Sequence, residues 1–126
     1  MALHAAREHG VSVVGVTLSQ EQAGYARKRI ADEGLTDKVE IRVQDYRDVS
    51  DGPFDAIVLS GSVAELPQSM LDLLKPGGRL LGIVGDEPVM RATLVRQSAN
   101  GRVVTQPWDT GAPRLLNFPE PPRFRF

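Results

Sequence analysis

Thr17, Ser19 and Gln22 form one small group of polar side chains where an apolar run gives way to a helical pattern. Asp45 and Tyr46 form another directly after the next apolar run. Hydroxyl, amide and carboxylate groups at the carboxyl ends of strands are where an open α/β sheet holds a ligand, so the chemistry on offer is hydrogen bonding to a polar small molecule. Helix capping also accounts for part of the first group, since Ser19 stands at an N-cap and Gln22 three residues later completes a capping box. Asp45 and Tyr46 read equally as loop residues. Ser60 and Gly61 follow a third apolar run, but Gly61 lacks the second spaced glycine of a ligand-cradling turn. His4 and His9 are five residues apart, not at the four-residue spacing that sets a metal pair on one helix face. They read as surface residues, and no metal site is expected.

The chain around these groups has 126 residues and is 41% hydrophobic, the size of one domain with a real core. Fifteen basic residues against 16 acidic leave a formal charge of −1, which gives no electrostatic case for nucleic acid or an anionic membrane as partner. With no cysteine there is no disulfide, thiolate metal site or cysteine nucleophile, which suits a reducing compartment. Apolar runs such as Ala56–Leu59 are far too short to span a bilayer, and no signal-peptide core opens the chain. A cytoplasmic domain is the expectation.

The elements that must position these side chains follow from periodicity. Val11–Leu18, Val39–Gln44, Phe54–Ser60 and Arg79–Gly85 are apolar on both alternating sets of positions, as strands covered on both faces are. Between the first two, Ser19–Glu33 has helical spacing and stops before Gly34; Met1–His9 is a shorter helix ended by Gly10. A third helix is expected over Pro67–Lys75, with Pro76-Gly77-Gly78 as its stop. Helix and strand alternation argues for a parallel sheet. Arg91–Ser98 and Arg102–Trp108, joined by Ala99-Asn100-Gly101, read as an antiparallel hairpin. The final stretch, Pro107–Phe126, carries Trp108, Phe118, Phe124 and Phe126 and is expected to pack along the domain surface.

This order of elements resembles the class I S-adenosylmethionine-dependent methyltransferase fold. Residues 1–53, with VVGVTLSQEQ at 13–22 and QDYRD at 44–48, are similar to the cyclopropane-fatty-acid and mycolic-acid cyclopropane synthases. From Phe54 onward, FDAIVLSGSVAELPQSMLDLLKPGGRLLGIVGDEPVMRATLVR and WDTGAPRLLNFPEPPRFRF resemble the C-terminal half of protein-L-isoaspartate O-methyltransferase. The change falls near Gly52-Pro53-Phe54-Asp55, and a chimeric, engineered join is the expectation. The resemblance implies S-adenosylmethionine as cofactor, with Thr17, Ser19 and Gln22 toward the ribose and Asp45 and Tyr46 bordering the adenine. The families' Asp/Glu-x-Gly-x-Gly turn has no counterpart here, because Met1–His4 match the helix that follows it. No catalytic residue is assigned: Ser60-Gly61-Ser62-Val63-Ala64-Glu65 stands where the synthases carry an acidic, histidine-containing loop. Arg123 and Arg125, alternating with Phe124 and Phe126, suggest stacking on single-stranded nucleic acid, but they match the isoaspartate family's ending.

Without a first strand, Val11–Leu18 is expected to pair directly with Phe54–Ser60. With the family's spatial order 3-2-1-4-5-7-6, the resemblance then implies a three-layer, Rossmann-like, mostly parallel sheet of six strands in order 2-1-3-4-6-5 with a C-terminal antiparallel hairpin. A monomer is expected, with a homodimer exchanging elements as the rival. Three functions follow: a methyltransferase-like domain with a partial adenosine site and no efficient turnover; a minimal methyltransferase whose cofactor site is rebuilt between Thr17 and Ser60-Gly61; or an adenosine-binding module without catalysis.

Overall fold

The computed structural model describes residues 2–115 together with Phe118 and Glu120. Of the C-terminal aromatic residues expected to pack along the surface, Trp108 is 57% exposed, and Phe124 and Phe126 lie outside the described residues. The chain divides into two compact units, Met1–Ser50 and Asp51–Phe126.

In the first unit, α1 (Ala2–His9), β1 (Val13–Thr17), α2 (Gln20–Asp32) and β2 (Val39–Val43) follow the expected order. β1 and β2 pair in parallel, with Val13 opposite Val39 and Thr17 opposite Val43. Ala6, Ile30 and Val39 are buried together, flanked by Leu3, Val13, Leu35 and Ile41. Both helices thus cover the face that carries Val13, Val39 and Ile41. On the opposite face Val14 and Val16 remain 37% and 39% exposed. α2 stops at Gly34, whose φ of +68° lets the Leu35 N–H turn back to Ile30 O at 3.0 Å.

The second unit holds β3 (Phe54–Val63), α3 (Gln68–Leu71), β4 (Leu74–Asp86), β5 (Val89–Ser98) and β6 (Gly101–Thr110). Its sheet runs β3-β4-β5-β6, parallel at the first junction and antiparallel at the other two. Three expectations are corrected here. β1 pairs with β2 alone and not with β3, so there are two sheets instead of one closed sheet. Parallel and antiparallel junctions are equally represented, so the sheet is not mostly parallel. The order of the last three strands is 4-5-6 instead of 4-6-5, for a simple reason. Only Glu87 and Pro88 separate Asp86 from its partner Val89, and a two-residue connection is that of a hairpin between adjacent antiparallel strands. The Ala99–Gly101 hairpin forms as expected, with Ser98 opposite Gly101.

The third helix is also shorter than its sequence pattern suggests. Pro67 caps it and it ends at Leu71, because Leu74 is already paired with Phe54. Between that pair and the next, Ala56 with Arg79, β4 has extra residues that bulge at Gly77 and Gly78. Gly77 has φ +81°, and a β-carbon on Gly78 would lie 2.8 Å from Lys75 O. The glycine pair is thus a strand bulge, not a helix stop. Leu80 and Val95, at 0% and 1% exposure, are cross-strand partners on one face of the sheet. No helix among the described residues is long and apolar enough to cross a membrane.

Candidate functional site

Thr17 ends β1, and its backbone O accepts from Gln44 N at 3.0 Å, which ties the end of β1 to the residue before Asp45. Parallel pairing therefore brings Thr17, Ser19, Gln22, Asp45 and Tyr46 to the carboxyl end of one small sheet. The first three form a closed hydrogen-bonded group. Ser19 Oγ accepts the Gln22 N–H at 3.2 Å, as an N-cap should. The reciprocal half of the expected capping box is replaced: the Ser19 N–H goes to Thr17 Oγ1 at 3.1 Å, and Thr17 Oγ1 donates to Gln22 Oε1 at 3.1 Å. One threonine hydroxyl thus does the work that Gln22 does in a standard box, and that signal was present in the sequence as a Thr two residues before the cap.

Asp45 caps the short 3-10 turn Tyr46–Asp48 by accepting the Arg47 N–H at 2.9 Å. The Arg47 guanidinium returns along both carboxylate oxygens, Nε to Oδ1 at 2.9 Å and Nη2 to Oδ2 at 2.8 Å. This two-pronged pair was missed in the sequence, although its i, i+2 spacing at a turn was visible. It holds the Arg47 guanidinium above its usual pKa. Burial pushes the Tyr46 phenol up, Arg47 pulls against that, and Asp45 adds to it. Tyr46 is accordingly a neutral hydroxyl, able to donate and accept.

Ser60 and Gly61 lie in the second unit, toward the end of β3. Ser60 is exposed and Gly61 buried. Residues 113–115 run beside them: Ser62 N donates to Pro113 O and Leu115 N to Ser62 O, each at 2.8 Å. Ser62 Oγ is buried without a hydrogen-bond partner among the described residues. Arg114 pins the segment by donating to Gly85 O at 2.9 Å and to the Asp86 carboxylate. A recess of about 230 Å³ opens in the first unit beside Arg27, Ile30 and Ile41, and one of about 700 Å³ in the second beside Glu87, Met90 and Pro113; neither includes a candidate residue.

His4 and His9 are surface residues as expected, yet their rings meet edge to face with centroids 5.7 Å apart. Among the described residues no three His, Asp or Glu side chains gather as a metal-binding group.

An adenosine fits the first unit in part. A hydroxyl, an amide and a phenol stand at the right sheet end, but Thr17 and Gln22 bond each other and Asp45 is held by Arg47.

Comparison with known proteins gives a family and a fold. Residues 1–82 match the model of the mycolic acid cyclopropane synthetases. A protein of Pseudomonas putida named a probable fatty acid methyltransferase is 39% identical over 106 residues, which are 82% of this chain and 26% of that protein. A protein-L-isoaspartate O-methyltransferase of Hyperthermus butylicus is 28% identical over 105 residues, 80% of this chain and 43% of the relative. The chain thus spans about a quarter to under half of the length of these relatives. Among solved structures, a Plasmodium falciparum protein assigned as a protein-L-isoaspartate O-methyltransferase, in complex with S-adenosyl-L-homocysteine, superposes with a TM-score of 0.72 at 20% identity. It covers 90% of this chain and 56% of the other. The fold is the class I methyltransferase fold, and both resemblances read from the sequence are present.

Proposed function

The chain belongs to the mycolic acid cyclopropane synthetase family, matched over residues 1–82, and on that premise we propose a methyltransferase-like domain that binds the adenosine end of S-adenosylmethionine. Thr17, Ser19 and Gln22 contact the ribose, and Asp45 and Tyr46 border the adenine. The observation that carries this reading is the Thr17 O to Gln44 N hydrogen bond of 3.0 Å, which sets both polar groups side by side at the strands' carboxyl ends. The cofactor itself would supply an electrophilic methyl group; these residues only bind and orient its nucleoside.

Efficient methyl transfer is not part of the proposal for these 126 residues. Gly61 is covered by Leu115, Asp45 is engaged by Arg47, and no catalytic group is identified among the described residues. The domain is proposed to be a monomer in a cytoplasmic setting, consistent with zero cysteines. A join of two methyltransferase segments near Gly52–Asp55 is likewise a proposal, supported by the boundary between units at Ser50 and Asp51. The 106-residue match to one fatty acid methyltransferase is what a single inherited domain predicts instead. An uninterrupted natural reading frame at the source locus overturns an engineered join.

Calorimetric titration with S-adenosyl-L-homocysteine tests the site. Micromolar binding that Thr17→Val and Asp45→Asn each weaken about tenfold, the worth of a hydrogen bond or two, supports it. Binding indifferent to both substitutions removes these residues from the site. Stoichiometric, saturable transfer of labelled methyl overturns the absence of turnover.

A further inference from the structure

The sheet of the second unit is apolar on both sets of alternating positions, yet its two faces are unequally covered at the central strands. Register places Val58, Leu81, Leu94 and Thr105 in one row across the four strands. The adjacent row on the same face is Ala56, Arg79, Arg96 and Val103. Val58, Leu81 and Val103 are 46%, 37% and 53% exposed, while Leu80 and Val95 on the opposite face are fully buried. A sheet stabilises by burying such a face against another element, and a contiguous exposed apolar surface marks an interaction site.

The chemistry of the occupant is set by the arginines. Arg79 and Arg96 are direct cross-strand partners, a like-charge pair that is unfavourable by itself. No hydrogen bond or ion pair engages either guanidinium among the described residues, whereas Arg7, Arg42, Arg47, Arg102 and Arg114 each bind a carboxylate. We propose that this face docks an amphipathic helix of a partner protein, its apolar stripe on Val58, Leu81 and Leu94 and its acidic flank on Arg79 and Arg96.

Three observations favour that occupant. Four strands at about 4.8 Å spacing make a platform about 14 Å wide between outer strands, the scale of one helix of about 10 Å diameter. Val58, Leu81 and Val103 lie in the rows that hold Arg79 and Arg96, so the face offers an apolar stripe beside a positive edge. A net charge of −1 gives no long-range attraction to an anionic bilayer.

Trp108 is the single tryptophan, is 57% exposed, and shares this face through its partner Ala92, so its emission reports on docking. The probes are two tryptophan-free, 18-residue, leucine-striped helical peptides, one flanked by Glu and one by Lys, titrated against the full chain. The Glu peptide should bind about tenfold more tightly than the Lys peptide, with the difference shrinking as salt rises. Arg79→Glu/Arg96→Glu, checked for folding by circular dichroism, should reverse the order; Arg96→Gln alone should narrow it. Equal binding of both peptides, or an order unchanged by these substitutions, overturns the proposal. So does a Trp108 shift with phosphatidylglycerol vesicles as large as that with the Glu peptide, which would assign the face to a membrane surface.

Discussion

Leu115 is packed onto Gly61 so closely that a β-carbon on the glycine would lie 2.7 Å from Leu115 Cδ2 and 2.8 Å from Pro113 O. The missing side chain is what allows residues 113–115 to lie along the end of β3. Gly61→Ala must therefore lift the segment or bend β3. We expect a loss of about 1–3 kcal/mol, as for other overpacked sites, and faster hydrogen exchange at the Leu115 amide, which donates to Ser62 O. Unchanged urea midpoint and exchange would show that the contact is not tight.

Ser19 gives a local test of the first unit. Its hydroxyl accepts the Gln22 N–H, so Ser19→Ala should cost about 1 kcal/mol in chemical denaturation and Ser19→Gly only a few tenths. Because Thr17 Oγ1 holds the Ser19 N–H, Thr17→Val should add to that cost non-additively in the double variant. Strict additivity would mean that the two hydroxyls act separately.

Leu80 and Leu81 are neighbours in sequence on opposite faces of β4, at 0% and 37% exposure. Leu80→Ala should cost about 2–5 kcal/mol, and Leu81→Ala less than half as much. Equal losses would mean that the Leu81 face is covered in the isolated protein, which also bears on the docking surface.

Asp72 accepts from Arg102 Nη2 and Gln68 Nε2, both at 2.9 Å. The Arg102 bond, then the Gln68 bond, hold its carboxyl below the ordinary value of 3.8. A folded-state value below the unfolded one means that the contribution is complete above about pH 3.8 and is lost as pH falls through the lower folded value. Carboxyl NMR titration should place Asp72 below its ordinary value in the wild type and near it in Arg102→Gln. If the substitution leaves the Asp72 titration in place, the pairing is absent in solution.

How much was legible beforehand depended on how local the cause was. Ser19, Gly34 and the helical spacing between them act within a few residues, and α2 forms accordingly. Asn100-Gly101 likewise dictates a hairpin through the backbone of the turn itself. The polar groups at Thr17–Gln22 and Asp45–Tyr46 could be placed at strand ends because strand ends are also local. The place Thr17 takes in the cap is local too, two residues before Ser19, but the standard box pattern points to Gln22 and so hides it.

From sequence alone came the helix-strand alternation, the terminal hairpin, the class of fold and the two family resemblances. Tertiary structure decided the rest. Leu74 joins a strand instead of a helix because Phe54, twenty residues earlier, offers it a backbone partner. The order β4-β5-β6 follows from a two-residue connection, which makes β4 and β5 a hairpin where the family pattern sets them apart. Only packing shows that apolar strands can have one open face, because alternation records what each side chain prefers and not whether another element arrives to bury it. For the same reason Gly61 looked available for a ligand in the sequence and lies beneath Leu115 in the fold.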